Sequence, residues 1–145
     1  MRICLLLLLT LGLPGLAEPL TPAQKKEARA IYQAYQAIET QVLKLPLKPG
    51  SAAALTRLYD EADSLMKRSH PLPPSMVELG VVGMEIKNWI FAQRALALYD
   101  PNHVAPPGFQ KSSLEDLEKD VKARRARYQS FRDDCLQTLK TYGAL

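Results

Sequence analysis

The sequence predicts an all-α fold, an antiparallel up-down-up-down four-helix bundle that follows a cleaved N-terminal signal peptide. Apolar residues recur at alternating spacings of three and four through four stretches of the chain, which is the period of a helix buried on one face. Prolines and glycines separate these stretches by short turns, and short connections favour antiparallel neighbours. A separate apolar run stands at the N terminus.

The N-terminal run is typical of an export signal. Arg2 precedes an apolar stretch at residues 3–13, which is too short to span a bilayer. Small residues occupy the −3 and −1 positions of a cut after Ala17. We therefore expect residues 1–17 to be removed and residues 18–145 to form one helical domain in the periplasm or outside the cell, without a transmembrane anchor.

Cysteine usage and charge narrow the class of protein. Cys4 is removed with the signal peptide. The small residues that precede the lipid-modified cysteine of a lipoprotein do not precede Cys4, so a lipoprotein is not expected. The remaining Cys135 cannot form an internal disulfide, which excludes a disulfide-stapled scaffold. Cys135 falls on an apolar seam and is therefore expected to be a buried hydrophobe. The net charge of +4 is too small to imply a nucleic-acid partner, and export also argues against one.

The first two helices are expected over residues 22–45 and 52–69. Thr21 and Gln24 have the spacing of a capping box at the start of the first helix, and Ser51 is the expected N-cap of the second. Prolines follow both helices and end them. The predicted apolar seams are Ala28, Ile31, Tyr35, Ile38, Val42 and Leu45, and then Leu55, Leu58, Ala62 and Leu65.

The third helix is expected over residues 76–99, beginning at a second capping box formed by Ser75 and Glu78. It is apolar on two sides, which is typical of a helix central to its fold. We expect neighbouring helices to cover both sides; the alternative is an exposed apolar surface that marks a partner or ligand site. The two stripes are Leu79, Val82, Ile86, Trp89 and Leu96, and Val77, Val81, Met84, Phe91 and Leu98.

The fourth helix is expected over residues 113–142, after the longest connection and an N-cap at Ser112 or Ser113. Arg124 interrupts its apolar seam. That arginine belongs either in a buried ion pair with an aspartate of the second helix or at the bundle edge, where its guanidinium reaches water. The predicted seam is Leu114, Leu117, Val121, Tyr128, Phe131, Cys135 and Tyr142, with Leu139 adjacent.

No constellation of residues indicates catalysis or a metal site. His70 and His103 lie in turns at opposite ends of the predicted bundle, about 30 Å apart, so they cannot share a metal ion. The di-iron bundle pattern of paired Glu-x-x-His motifs and the haem-attachment motif Cys-x-x-Cys-His do not occur. Solvated helix faces account for the grouped carboxylates Asp60, Glu61, Asp63, Glu78 and Glu85. We therefore do not expect an enzyme, and we expect no catalytic, metal-binding or cofactor-binding residues.

A basic stretch at residues 119–127 is largely explained by acid-first i, i+4 pairs along the fourth helix. Arg125, Arg127 and Arg132 lack an acidic residue at i−4. Together with two large aromatic residues of the third helix, they form the predicted partner surface. This surface consists of Trp89, Phe91, Arg125, Arg127 and Arg132.

The sequence favours an exported, non-catalytic bundle that binds another envelope protein or macromolecule, with a homo-oligomer left open. The alternative is a periplasmic carrier that holds a small apolar ligand or haem in the bundle core. Methionines and aromatic residues suited to such a site are Met66, Met76, Met84, Trp89, Tyr32, Tyr35 and Tyr59.

Overall fold

The computed structural model describes residues 18–108 and 110–145, so the predicted signal peptide at residues 1–17 and Phe109 lie outside the described part. Within that part the chain forms four α-helices and no strand, which confirms the all-helical prediction. The observed bounds differ from the expected ones by two residues at most. The helices are α1 (Pro22–Lys44), α2 (Ala52–Ser69), α3 (Val77–Ala97) and α4 (Leu114–Thr141).

Side-chain caps begin α1 and α4, as predicted. The Thr21 hydroxyl accepts a hydrogen bond from the Gln24 backbone N–H at 3.2 Å, and the Gln24 side chain accepts one from the Thr21 N–H at 2.8 Å. Ser113 and Asp116 form the corresponding pair at the start of α4. These bonds satisfy backbone donors that have no partner within the helix.

Ser51 is the N-cap residue of α2, as predicted, but its side chain makes no capping hydrogen bond. The capping box predicted for α3 at Ser75 is wrong, because Met76 is the N-cap residue there. Ser51 and Ser75 both lie inside single 3₁₀ turns, Pro49–Ser51 and Pro74–Met76, that lead directly into the helices. Neither helix has a side-chain cap. A capping residue must have extended backbone geometry, whereas the proline that opens each turn starts helical geometry before the serine is reached.

The core surrounds α3, which packs most extensively against α2 and α4 and also contacts α1. Long side chains connect the helices at their edges. Arg68 near the end of α2 pairs with Glu27 near the start of α1 at 2.8 Å, and Arg132 of α4 pairs with Glu39 of α1 at 2.7 Å. The largest fully buried side chains are Trp89, Tyr32, Tyr35, Tyr128, Ile31, Ile38, Leu55, Leu58, Leu79, Ile86, Ile90 and Leu139.

The seam of α4 is only partly buried. Tyr128, Cys135 and Leu139 in its second half are buried, whereas Leu114 in its first turn is exposed. The helix has 28 residues and the α3 helix on which it packs has 21, so their apolar faces cannot match over the full length. The first half of α4 therefore contributes less to the core than its periodicity predicts.

At Gly83 the backbone of α3 lies very close to side chains of α1 and α2. A Cβ atom at this position would overlap the Tyr35 hydroxyl and lie 2.9 Å from the Cβ atom of Met66. Tyr35 is fully buried, so its ring has no free space into which to move. The absence of a side chain at Gly83 thus lets α3 pass over α1 and α2 together.

We expect Gly83→Ala to destabilise the protein by about 1–3 kcal/mol, because the added methyl group overpacks the core. Gly80→Ala is the matched control: its Cβ would meet only the Ser69 hydroxyl at 3.5 Å, so it should stabilise α3 by up to about 1 kcal/mol through helix propensity. Urea unfolding monitored by circular dichroism measures both. Adding Tyr35→Phe to Gly83→Ala should recover stability, since the Tyr35 hydroxyl has no hydrogen-bond partner among the described residues. Equal stability of the two alanine variants would contradict this account.

Candidate functional site: an exposed apolar stripe on α3

The second apolar side of α3 is open to solvent. Val77 and Phe91 are each 62% exposed, Leu98 is 47% exposed and Met84 is 44% exposed. The expectation that neighbouring helices cover both sides of this helix is therefore wrong. The reason is geometric: α2 and α4 flank α3 and α1 contacts it as well, and the described residues include no further helix for the remaining side.

The exposed residues follow a regular spacing along α3. They alternate at four and three residues over the whole helix, which is the spacing of a coiled-coil seam. One polar residue, Asn88, interrupts the apolar pattern near its midpoint. We call this surface the α3 stripe; its members are Val77, Val81, Met84, Asn88, Phe91, Ala95 and Leu98.

A groove of about 450 Å³ lies between α2 and α3 beside the first half of the stripe. Its walls include Met66, Met76 and Met84, which are all the methionines of residues 18–145, and also His70. Methionine side chains are flexible and polarisable, so they adapt to apolar partners of different shape. We call this the Met-lined groove, and its mouth adjoins Val77 on the stripe.

A smaller groove of about 300 Å³ lies beside the second half of the stripe, where Tyr59 of α2 faces Phe91 and Arg94 of α3. Between the two grooves an ion pair joins Lys87 of α3 to Asp63 of α2. The Lys87 ammonium also lies 4.8 Å from the centre of the Tyr59 ring. This bridge holds α2 against α3. Lys67 also pairs with Asp63, at 2.6 Å, so two lysines share one carboxylate on that flank of the stripe.

The Asp63 carboxylate is held strongly in its charged form. Hydrogen bonds from Lys67 and Lys87 lower the pKa of Asp63 from 3.8 to about 2. Burial lowers the pKa of Lys87, but its hydrogen bonds and charge interactions with Asp63 and Tyr59 together outweigh burial, and the net shift is upward. Both groups are therefore charged over the whole physiological range of pH.

On the opposite flank of the stripe a buried glutamate pairs with an arginine whose side chain is 59% exposed. The Glu85 side chain is only 1% exposed and accepts a hydrogen bond from Arg127 of α4 at 2.8 Å. The second carboxylate oxygen of Glu85 has no hydrogen-bond partner among the described residues. The Arg127 guanidinium lies 5.6 Å from the centre of the Phe131 ring. This arginine thus neutralises a buried charge and covers an aromatic residue at once.

The structure separates the five residues of the predicted partner surface. Trp89 is fully buried and stacks on Tyr128 with 5.6 Å between ring centres, so it belongs to the core and not to the surface. Phe91 lies on the α3 stripe. Arg125 is exposed, with its guanidinium 5.9 Å from the centre of the Trp89 ring.

Arg132, the last of the predicted surface arginines, points toward α1. It donates to both carboxylate oxygens of Glu39, at 2.7 and 2.9 Å, and Tyr128 donates to the same carboxylate at 3.1 Å. Arg127 and Arg132 thus each have an acidic partner on another helix, and Arg132 also pairs with the adjacent Asp133 at 2.8 Å. For Arg127 the hydrophobic periodicity of α3 offered a signal, because it places Glu85 on the buried side of that helix, where a carboxylate needs a cationic partner.

The remaining candidate positions lie apart from one another. Cys135 is buried, and burial raises the pKa of its thiol to about 12. His70 lines the Met-lined groove, whereas His103 lines a groove at the α3–α4 connection. Arg124 is surface-exposed and pairs with Asp120 of its own helix at 3.1 Å, so the bundle-edge alternative holds for it.

Among residues 18–108 and 110–145, none of the helices is both long and apolar enough to cross a bilayer. No cluster of three or more histidine, cysteine, aspartate or glutamate side chains there is arranged to hold a metal ion.

Comparison of the chain with known protein families, with curated proteins and with solved structures finds no match.

We expect Arg127→Ala to destabilise the protein by about 2–3 kcal/mol, because it leaves the buried Glu85 carboxylate without its partner. Arg124→Ala is the matched control, since it breaks an exposed ion pair on the same helix and should cost at most about 1 kcal/mol. Chemical unfolding measures both. Adding Glu85→Gln to Arg127→Ala should restore part of the loss, and equal losses for the two arginine variants would argue against a structural role for the Arg127 pair.

The ion pairs of Asp63 should make the free energy of unfolding depend on pH in the acidic range. Because the folded pKa of Asp63 is about 2 and its ordinary value is 3.8, its contribution is complete above pH 3.8 and is lost as the pH falls through 3.8 toward 2. We expect the stability difference between the wild type and Asp63→Asn to be constant near neutral pH and to shrink over that acidic interval. Urea unfolding across a pH series measures it. Lys67→Met and Lys87→Met should each remove part of the same increment, because both lysines hydrogen-bond Asp63, and a difference that does not change with pH would contradict the assignment.

Proposed function

We propose that this chain is an exported, non-catalytic helical-bundle protein that binds another envelope protein or macromolecule through the α3 stripe. The observation that carries the proposal is the row of four large apolar side chains, each 44–62% exposed, along the central helix. Soluble monomers rarely expose contiguous apolar patches larger than a few hundred Å², and such patches mark interaction sites. The two adjoining grooves extend the apolar surface of the stripe and support the same function.

The shape of the surface favours a helical or extended apolar segment as the ligand. A stripe with apolar residues at i, i+4 and i+7 next to a groove is suited to an amphipathic helix, which presents anchors at the same spacing. The Met-lined groove, of about 450 Å³, is wide enough to receive one or two large apolar side chains. Arg125, exposed on α4 beside the buried Trp89, supplies a cation for an acidic residue at the rim of such a partner.

Export remains part of the proposal. The charged, apolar and small-residue segments of residues 1–17 support cleavage after Ala17 and a location in the periplasm or outside the cell. Successive helices of alternating direction, the predicted up-down order, are supported by contacts that join the start of one helix to the end of the next, as between Glu27 and Arg68. The non-catalytic assignment is supported by the buried thiol of Cys135 and by the separation of the two histidines.

A second candidate function is carriage of a small apolar ligand or haem. The residues first suited to a site in the core, Tyr32, Tyr35 and Trp89, are fully packed and line none of the three grooves. The observation that favours a carrier is instead the Met-lined groove, whose volume lies within the range of small-molecule sites. A ligand would then sit against Met66, Met84 and His70 at the surface.

We expect Phe91→Lys to reduce recovery of the bound partner at least about tenfold, because it places a charge where apolar contact is needed. The tagged chain is cross-linked in its own cells, purified from the envelope fraction and analysed by mass spectrometry. Leu43→Lys is the matched control, since Leu43 is 48% exposed but lies on α1 away from the stripe. The processed chain should begin at Glu18.

Three outcomes would contradict the proposal. Equal recovery with Phe91→Lys and with the wild type would exclude the stripe as the binding surface. A chain that still carries residues 1–17 would exclude processing after Ala17. Extra mass from a small molecule in place of a second polypeptide would favour the carrier.

A further inference from the structure

Every methionine of residues 18–145 lines the Met-lined groove, although the three come from different parts of the fold. Met66 belongs to α2, Met76 lies in the 3₁₀ turn that leads into α3, and Met84 belongs to α3. The periodicity of a single helix does not account for this convergence. His70 also lines the groove, so three thioethers and one imidazole share a single cleft.

The side chains come from two facing walls. On α2, Met66 and the C-cap residue His70 are four residues apart with helical backbone, so they lie one turn apart on the same face. On the other wall, Met76 and Met84 are each four residues from Gly80, which also lines the groove. Because Gly80 has no side chain, the space between the two methionines stays open.

The two walls approach each other closely. A Cβ atom at Gly83 would lie 2.9 Å from the Cβ atom of Met66, and a Cβ atom at Gly80 would lie 3.5 Å from the Ser69 hydroxyl. Residues 66–69 of α2 therefore pack directly against residues 80–83 of α3. The methionine side chains at this crossing are flexible, so rotation about their own bonds brings their sulfur atoms toward one point without any movement of the helices.

We propose that the Met-lined groove binds one Cu(I) ion through Met66, Met84 and His70, with the buried Met76 as a further thioether ligand. Thioether sulfur is a soft ligand that selects Cu(I), and imidazole also suits copper. Met84 is 44% exposed and His70 is exposed, so the ion can enter from solvent. The zinc, di-iron and haem-attachment patterns sought in the sequence contain no methionine ligand, so they could not indicate this site.

The charge of the ligands favours a monovalent ion. None of the described residues that line the groove carries a carboxylate or a thiol, so thioethers and a neutral imidazole would leave the charge of the ion uncompensated. The cost of removing an ion from water rises steeply with its charge. Zn²⁺ is bound chiefly by thiolate, imidazole and carboxylate, and Mg²⁺ and Ca²⁺ by oxygen ligands, so the ligand set disfavours these ions.

The remaining soft ligand among the described residues is a poor competitor for the ion. Cys135 is buried, and burial raises the pKa of its thiol to about 12. A thiol must lose its proton to bind a metal ion, and this thiol stays protonated at neutral pH. A thioether has no proton to lose and forms no disulfide, so it remains a ligand in the oxidising surroundings of an exported protein.

Competition with bicinchoninate, a chelator that is coloured when it holds Cu(I), tests the site on the purified chain without oxygen. We expect the wild type to bind one Cu(I) ion. Met66→Leu and Met84→Leu should each weaken binding at least about tenfold, because leucine keeps the apolar volume but removes the sulfur. His70→Ala should weaken it similarly. His103→Ala is the matched control and should bind normally, since His103 lines a different groove.

X-ray absorption at the copper edge identifies the ligands directly. Sulfur and nitrogen neighbours are expected in the wild type, with the nitrogen signal lost in His70→Ala. Urea unfolding of each variant without copper should match the wild type, which separates loss of a ligand from loss of the fold.

Several outcomes would overturn the copper site. These are the absence of saturable Cu(I) binding, normal binding by the double variant Met66→Leu, Met84→Leu, and equal losses for His70→Ala and His103→Ala. Zn²⁺ binding as tight as that of Cu(I) would contradict the thioether ligands.

The copper site goes beyond the proposed function and does not rest on the envelope partner, so the two can fail separately. Phe91→Lys changes the stripe outside the groove and should bind Cu(I) like the wild type even where partner capture fails. Normal Cu(I) binding together with normal partner capture by Phe91→Lys supports the copper site and overturns the proposed function. Partner capture that depends on Phe91 in a chain that binds no Cu(I) overturns the copper site alone.

Discussion

The structure depends on one constraint: α3 is apolar on two sides, and only three other helices are described to cover it. α2 and α4 lie along its flanks and α1 packs against it as well, so one strip of its surface has no neighbour. The packing of the other sides is tight, since Gly83 allows Tyr35 and Met66 to approach the α3 backbone where a methyl group would not fit. Close packing on the inner sides therefore fixes the helix in an orientation that leaves the stripe outside.

The same constraint explains where charge is placed. The boundary between α3 and each flanking helix is the limit of the core, and an unpaired charge there would be costly to desolvate. On one boundary Lys87 meets Asp63, and on the other the buried Glu85 meets Arg127. These pairs close the core beneath the stripe. They also leave the outer surface of α3 with a single polar residue, Asn88, between its two ends.

The helices could be predicted from the sequence, because periodicity and capping involve residues close together in the chain. The residues that form the exposed surface could be identified only from the packing of the helices against one another. Periodicity located all four helices. The capping box at Thr21 was visible because it depends on residues three positions apart, whereas for α4 the sequence left Ser112 and Ser113 as alternatives. No side-chain capping bond forms at Ser51 or Ser75, because a preceding proline had already set helical geometry. Periodicity also identified two apolar sides of α3 but could not tell which side would remain open. The interhelical partners of Arg127 and Arg132 are 42 and 93 residues away along the chain. Trp89 packs on Tyr128 of another helix. Sequence patterns within one helix could predict neither these ion pairs nor the burial of Trp89.

The energetics of the stripe favour a surface that exchanges partners over one that holds a single partner permanently. Fully burying a large apolar side chain contributes about 1.5–3 kcal/mol, and the four large side chains of the stripe are already about half-buried in the monomer, so each has roughly 1 kcal/mol left to gain. The stripe thus offers about 4 kcal/mol, against an association cost of about 4–15 kcal/mol. Burial of the stripe alone therefore does not hold a ligand firmly. The proposed partner would gain the further contacts it needs by also filling the Met-lined groove.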